Sequence, residues 1–188
     1  MKAVDFEPIS TERLTLRVMT PDDLDDVHAF QSDPEVVRYQ LFEPRTREEV
    51  AEKSAEWGKA TRLEKVGDYI QPAMQTADGR VIGLMYFTIT STDDETGEIG
   101  WAMNKQFHGQ GYASEAASAI LDLAFGPLDL HRVYAELDPR NEPSVRLCER
   151  LGMRHEAHFV EHMMFKGDWA DTGVYGILAR EWRARRGG

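Results

Sequence analysis

Cysteine is almost absent from this sequence. Cys148 stands alone, so no intrachain disulfide can form, and a reducing compartment fits. No apolar run approaches the length of a bilayer span, and residues 1–10 lack the basic-then-apolar build of a secretory leader. A cytoplasmic location is the expectation. Positive charge is scarce as well, with 22 Lys and Arg against 33 Asp and Glu and a formal net charge of -11. Nonspecific nucleic-acid binding runs on phosphate neutralisation by Lys and Arg, so no nucleic-acid partner is expected, and no anionic membrane surface either. Such a field would steer an amine-bearing substrate inward, although solubility alone also accounts for it. Repeats, low-complexity tracts and linkers are missing too. The 188 residues suffice for one substantial core, so one domain over residues 1–188 is expected.

Hydrophobic residues make up 41% and charged residues 29%, which fits a globular chain. Residues 13–18 alternate apolar and polar and read as a first strand. Residues 21–31 and 46–62 carry apolar side chains at helical spacing, with Thr20 and Thr46 as caps. Residues 69–76 and 81–90 read as a hairpin about Asp78-Gly79, and residues 98–103 as a further strand. Residues 112–125 then place Ala113, Ala116, Ala117, Ile120, Leu121 and Ala124 on one helical face. A strand over 132–137, a helix over 141–150 stopped by Gly152, and strands over 155–165 and 173–178 complete the chain. Strand, glycine turn, helix, strand is the wiring of an α/β unit with two parallel strands, and the flanking hairpins make the sheet mixed.

The strongest local signal is Gln106-Phe107-His108-Gly109-Gln110-Gly111-Tyr112-Ala113, between a strand and an amphipathic helix. The first N–H groups of a helix lack internal partners and its dipole favours an anion there, while glycines let a phosphate approach the backbone. No acidic residue falls between Lys105 and Ser114. A Walker loop would need Gly-Lys-Ser/Thr, whereas Tyr112 follows Gly111. A dinucleotide fingerprint would need glycine where Ser114 stands. The motif alone leaves a plain strand-to-helix turn equally open.

Read with the rest of the chain, these residues resemble the GCN5-related N-acetyltransferase superfamily. Its cofactor signature is Arg or Gln, two residues, Gly, one residue, then Gly or Ala, which Gln106, Gly109 and Gly111 match. More narrowly the chain resembles the RimJ/RimL-type ribosomal-protein N-terminal acetyltransferases. That likeness rests on Glu98-Ile99-Gly100-Trp101, Leu130-His131-Arg132-Val133, Asp138-Pro139-Arg140-Asn141-Glu142-Pro143-Ser144, Glu149-Arg150-Leu151-Gly152-Met153, Gly167-Asp168-Trp169 and the opening Thr11-Glu12-Arg13-Leu14-Thr15-Leu16-Arg17. The resemblance implies a splayed mixed α/β sheet flanked by helices, using acetyl-CoA to acetylate a primary amine, either a protein N-terminus or a small molecule. It implies that the pantetheine arm meets the backbone of Trp101, Ala102 and Met103. The phosphates would rest on the amides of Gly109, Gln110, Gly111, Tyr112, Ala113 and Ser114, with Asn141 contacting the cofactor near its acyl end.

An α-amino group titrates near ~8 and lysine near ~10.4, so most acceptor is protonated at neutral pH and the site needs a proton acceptor. The resemblance implies Glu98 for that role, through a water. Superfamily members commonly place a tyrosine seven residues after the helix-opening asparagine as proton donor to the leaving thiolate. Here that position is Cys148, a departure. The narrower branch offers Ser144 instead, as acid or as cofactor contact. Phe30, Tyr39 and Trp57 lie in or beside the first two helices, which in relatives border the acceptor groove, so they are candidate substrate residues, although core packing is the commoner fate of such aromatics. Another acyl group such as succinyl, or a noncatalytic acyl-CoA-binding module, are the alternatives. Assembly is open, a homodimer being a guess.

Two features read as decoys. Cys148, among Val145, Leu147 and Leu151, suits a buried helix thiol. His158-Phe159-Val160-Glu161-His162 matches an inverted zinc-protease string, but it lies in a strand, where residues four apart are ~13 Å from each other, so no metal is expected. The arginine-rich tail over residues 180–186 reads as a solvated terminus.

Overall fold

The chain is described by a computed structural model over residues 1–187. It opens with β1 (Val4–Asp5), β2 (Ile9–Ser10) and β3 (Leu14–Arg17). A 3-10 turn at Pro21–Asp23 leads into α1 (Leu24–Gln31), and a second at Val37–Tyr39 precedes α2 (Arg47–Trp57). Then come β4 (Arg62–Leu63), β5 (Tyr69–Ile70), β6 (Ala73–Thr76), β7 (Val81–Ser91) and β8 (Thr96–Met103). The second half holds α3 (Tyr112–Phe125), β9 (Arg132–Leu137), α4 (Glu142–Leu151), β10 (Arg154–Phe165), β11 (Asp168–Leu178) and α5 (Ala179–Arg186). The main sheet runs β10-β11-β9-β8-β7-β6-β3-β2, with β5 also on β7, while β1 and β4 form a separate ribbon. Among the described residues only β8 and β9 pair parallel, so the mixed α/β sheet expected from the motif order is the one that forms.

Alanine makes α3 possible in its position. Ala116, Ala117 and Ala124 are fully buried with Ile120 and Leu121, and alanine combines high helix propensity with a profile low enough to lie close to a sheet. Ala113, at the start of the same stripe, is only half-buried. A second, smaller core gathers Val27, Phe30, Val50 and Trp57 from α1 and α2 against Ala73, Val81 and Leu84. At the start of α2, Thr46 Oγ1 accepts from Glu49 N–H (3.2 Å) and Glu49 Oε2 accepts from Thr46 N–H (2.7 Å), so two orphan donors are satisfied reciprocally.

Several boundaries differ from the sequence reading. The expected strand over 69–76 is broken into β5 and β6 by Gln71-Pro72, since proline has no N–H for a ladder. The second helix stops at Trp57 rather than at residue 62. Gly58 lies so near Met19 that an added Cβ would sit 2.9 Å from the Met19 carbonyl oxygen, and Arg62 leaves to pair with Asp5. β11 begins at Asp168, five residues before the expected start.

The arginines of the tail are exposed, as expected of a solvated terminus, but the segment that carries them is anchored. It forms α5, which buries Trp182 and donates its indole N–H to Asp122 Oδ1 at 2.8 Å, while Arg183 Nη2 donates to the Phe125 carbonyl at 2.9 Å. The His158–His162 string lies in β10 as expected. A bulge there puts Glu161 at φ +47, so the even extended spacing assumed for the string does not hold. His158 Nε2 pairs with Asp171 at 2.7 Å and His162 Nδ1 with Thr172 at 3.0 Å.

Candidate active site

β8 and β9 share only three residue pairs, Thr96 with Arg132, Gly97 with Val133 and Glu98 with Tyr134. Beyond them each strand stays with its other neighbour, β8 with β7 as far as Met103 opposite Gly83, and β9 with β11 as far as Leu137 opposite Gly173. The sheet therefore opens in its middle. Asn104 N–H donates to the Ile82 carbonyl at 2.9 Å, and strand alternation then turns the backbone of Ala102 toward β7 as well. The backbone groups of Trp101 and Met103 face the opening. Gln40 Nε2 donates to the Trp101 carbonyl at 3.3 Å, and His108 Nε2 lies 3.0 Å from that of Met103. Of the three residues expected to offer backbone here, Ala102 is the exception, because its peptide groups belong to the ladder.

One cavity of about 410 Å³ runs from this opening to the glycine turn, lined by Trp101, Ala102, Met103, Gly109, Gly111, Ala113, Ser114, Asn141 and Ser144 among others. Gly109 and Gly111 hold φ values of +75 and +84, left-handed angles that glycine adopts without strain. An added Cβ at Gly109 would meet nothing within 4 Å. Among the described residues, the amides of Gly109, Gln110, Gly111, Tyr112, Ala113 and Ser114 donate to no protein acceptor, whereas that of Glu115 is bonded to the Gly111 carbonyl at 3.0 Å. Six free amides at a helix entrance fit a diphosphate. Arg13 braces the turn, a role that the sequence did not signal. Its Nη1 donates to the Gln110 carbonyl at 2.9 Å, its Nη2 pairs with Glu115 at 2.7 Å, and its guanidinium lies 4.4 Å from the Tyr112 ring centroid.

A second cavity of about 390 Å³ adjoins the first at the splay and is lined by Tyr39, Arg45, Trp57, Glu98, Glu136 and Asp138 among others. Tyr39, Gln40, Trp101, Ala102, Asn141 and Ser144 border both cavities, which therefore meet at this group. Glu98 is half-buried there. Burial raises its carboxyl above the ordinary carboxylate value, Glu136 raises it further, and a hydrogen bond from Tyr134 opposes both. Asn141 caps α4, its Oδ1 accepting from Ser144 N–H at 3.3 Å. Ser144 Oγ accepts from the Trp101 indole N–H at 3.1 Å, which leaves the serine proton to point elsewhere.

The aromatic expectations divide. Tyr39 borders both cavities and Trp57 lines the second. Phe30 is 1% exposed in the smaller core and borders neither cavity. It is a core residue, since helical spacing turned it inward with Val27. Cys148 is fully buried and its thiol is pushed up to about 12, chiefly by that burial. Gln40 and Arg45 were not anticipated. They sit between helices, where no periodicity marks them. Among the described residues no three His, Cys, Asp or Glu side chains gather as a metal site, and no helix is long and apolar enough to cross a membrane.

Residues 13–154 match the family model described as an acetyltransferase (GNAT) domain. The uncharacterized N-acetyltransferase YnaD of Bacillus subtilis (strain 168) is 34% identical over 174 residues, covering 93% of this chain and 98% of YnaD. A GNAT-family acetyltransferase from Bacillus anthracis superposes with a TM-score of 0.83 at 30% identity, covering 93% of this chain and 100% of that one. The spermidine N-acetyltransferase of Vibrio cholerae, solved with CoA and spermine, shares the fold with a TM-score of 0.76 at 23% identity, covering 90% and 98%.

Proposed function

The chain belongs to the GNAT family of acetyltransferases, and from that premise we propose which of its residues hold the cosubstrate, move protons and meet the amine. It is an acetyl-CoA-dependent N-acetyltransferase. Acetyl-CoA supplies a thioester, and the amine attacks its carbonyl directly. The free amides of Gly109, Gln110, Gly111, Tyr112, Ala113 and Ser114 hold the diphosphate. The backbone of Trp101 and Met103 borders the pantetheine arm, with the Ala102 side chain in the wall and Asn141 near the acyl end. One observation carries this reading, namely two cavities that meet at Trp101 and Ser144, one ending on six free amides and the other holding a half-buried carboxylate.

Glu98 takes the amine's proton, through a water. Its raised pKa brings it nearer the working pH, which is where a general base is most effective. Ser144 gives a proton to the departing sulfur, its oxygen being fixed by the Trp101 indole. Cys148 is buried and held in its thiol form, which supports direct attack over a covalent enzyme intermediate. The acceptor enters through the second cavity, where Tyr39 and Trp57 form part of the wall. The motifs resembling the RimJ/RimL branch favour a protein N-terminus, the wider superfamily leaves a small amine open, and the lone Cys148 favours a cytoplasmic setting. The neighbour from Vibrio cholerae, solved with spermine, supports a polyamine as a second reading, as do the acids Glu98 and Glu136 in the cavity.

Calorimetric titration with CoA tests the cofactor half, and thiol release from acetyl-CoA with peptide, amino-acid and polyamine acceptors tests the transfer. Gly111→Ala puts an alanine at a left-handed angle, a strain of about 1–2 kcal/mol that the free turn sheds by moving its amides out of place and that CoA must then restore, so affinity should fall by roughly tenfold. Absence of heat with the unmodified protein would overturn the cofactor placement.

A further inference from the structure

Of the charged side chains that line the acceptor cavity, Asp138 and Lys53 are already matched, while the carboxylates of Glu98 and Glu136 face the acceptor amine without an ion-pair partner among the described residues. Arg140 Nη2 holds Asp138 Oδ2 at 2.6 Å, and Lys53 holds Glu56 at 2.8 Å. Arg45 is different. Among the described residues no carboxylate lies within ion-pair distance of its guanidinium, and its one side-chain hydrogen bond runs from Nη1 to Gln31 Oε1 at 2.8 Å. Gln31 is itself buried, 2% exposed, so this anchor is part of the packed structure. The guanidinium carbon lies 3.7 Å from the Phe42 ring centroid and 5.3 Å from that of Trp57. Burial pulls the guanidinium below its ordinary pKa, against weaker opposing pulls from Glu49 and Glu56.

A guanidinium carries five N–H donors, and a half-buried charge without a counter-charge is costly. Both aromatic rings lie close to it, and among the described residues its Nε and Nη2 donate to no protein acceptor, which leaves N–H groups for a planar group that can take two parallel bonds. A carboxylate is such a group. We infer that Arg45 is the specificity anchor for an anionic group on the acceptor, so that the amine acetylated in this cavity carries a carboxylate. The inference rests on reading the second cavity as the acceptor's. Glu98 meets the amine and Arg45 the carboxylate. A polyamine would instead place a further ammonium beside an unmatched guanidinium.

Matched acceptors differing only in that charge provide the test. β-Alanine is compared with β-alaninamide, and amidated Asp-Ala with amidated Asn-Ala, by kcat/KM for thiol release at saturating acetyl-CoA. The carboxylate member should lead by about tenfold or more. The pair that shows the larger ratio tells whether the charge comes from a free amino acid or a peptide side chain. The ratio should fall toward one in Arg45→Gln and lie between in Arg45→Lys. A ratio near one in the unmodified enzyme, a ratio that survives Arg45→Gln, or spermidine as the best acceptor overturns the inference while leaving the transferase reading intact. Failure of every amine to turn over sinks the acceptor cavity, and this inference with it.

Discussion

Removing the Ser144 hydroxyl separates its two candidate roles. In Ser144→Ala the Trp101 indole N–H loses its acceptor, which lies 3.1 Å away. A partly buried donor left without a partner costs about 1–3 kcal/mol of stability, so the melting temperature should fall by several degrees. The catalytic effect should be larger. A positioned general acid contributes roughly 10²–10⁴ in rate, or about 2.7–5.4 kcal/mol of barrier. If Ser144 protonates the departing sulfur, kcat should fall by about a hundredfold or more while the Kd for CoA changes little. The loss should shrink with an acetyl thioester whose thiol is acidic and leaves without a proton. Trp101→Phe keeps the serine but frees its hydroxyl, and should cost several-fold in kcat with the same dependence on the leaving group. Stopped-flow thiol release and calorimetry on the same samples read both quantities. A kcat within threefold of the unmodified enzyme, together with weaker CoA binding, would make Ser144 a cofactor contact and refute the acid assignment.

With Glu98 as base, kcat/KM should fall as pH drops through a midpoint above that of an ordinary carboxylate, because burial and Glu136 both favour the neutral acid. Glu136→Gln removes the repulsion and should move that acidic limb to lower pH, so a pH profile that stays in place would count against Glu98. Cys148, whose thiol is pushed up to about 12, should resist iodoacetamide at pH 8 in the folded enzyme and react on unfolding in denaturant. Rapid modification of the native protein would contradict that burial.

The order of elements was legible because strand alternation and the α3 stripe are local patterns. So was the glycine turn, where Gly109 and Gly111 take left-handed angles that the residue type foreshadows. Direction was harder to read. Helical spacing marks Phe30 and Trp57 alike as apolar and both join the smaller core, yet only packing decides that Phe30 is closed inside it while Trp57 also reaches a cavity wall. Backbone facing is similarly invisible until pairing is known, so nothing in the sequence separates Ala102 from Trp101 and Met103. Gln40 and Arg45 lie in an aperiodic stretch, where a side chain's partners come from remote segments. Composition read the tail only in part. Its arginines are exposed, as they suggest, but Ala179 and Trp182 share a buried face and Arg183 reaches the Phe125 carbonyl at the end of α3.

The parting of β8 and β9 after Glu98 and Tyr134 has a mechanical consequence. Two half-sheets are stitched by three residue pairs, with α3 packed on one face and α1 and α2 on the other, so the sheet carries a seam. A ligand lying along that seam rivets both halves at once, adding bonds that neither half can supply alone. Saturating CoA should therefore sharpen the melting transition as well as raise its midpoint, because the two halves would then come apart together.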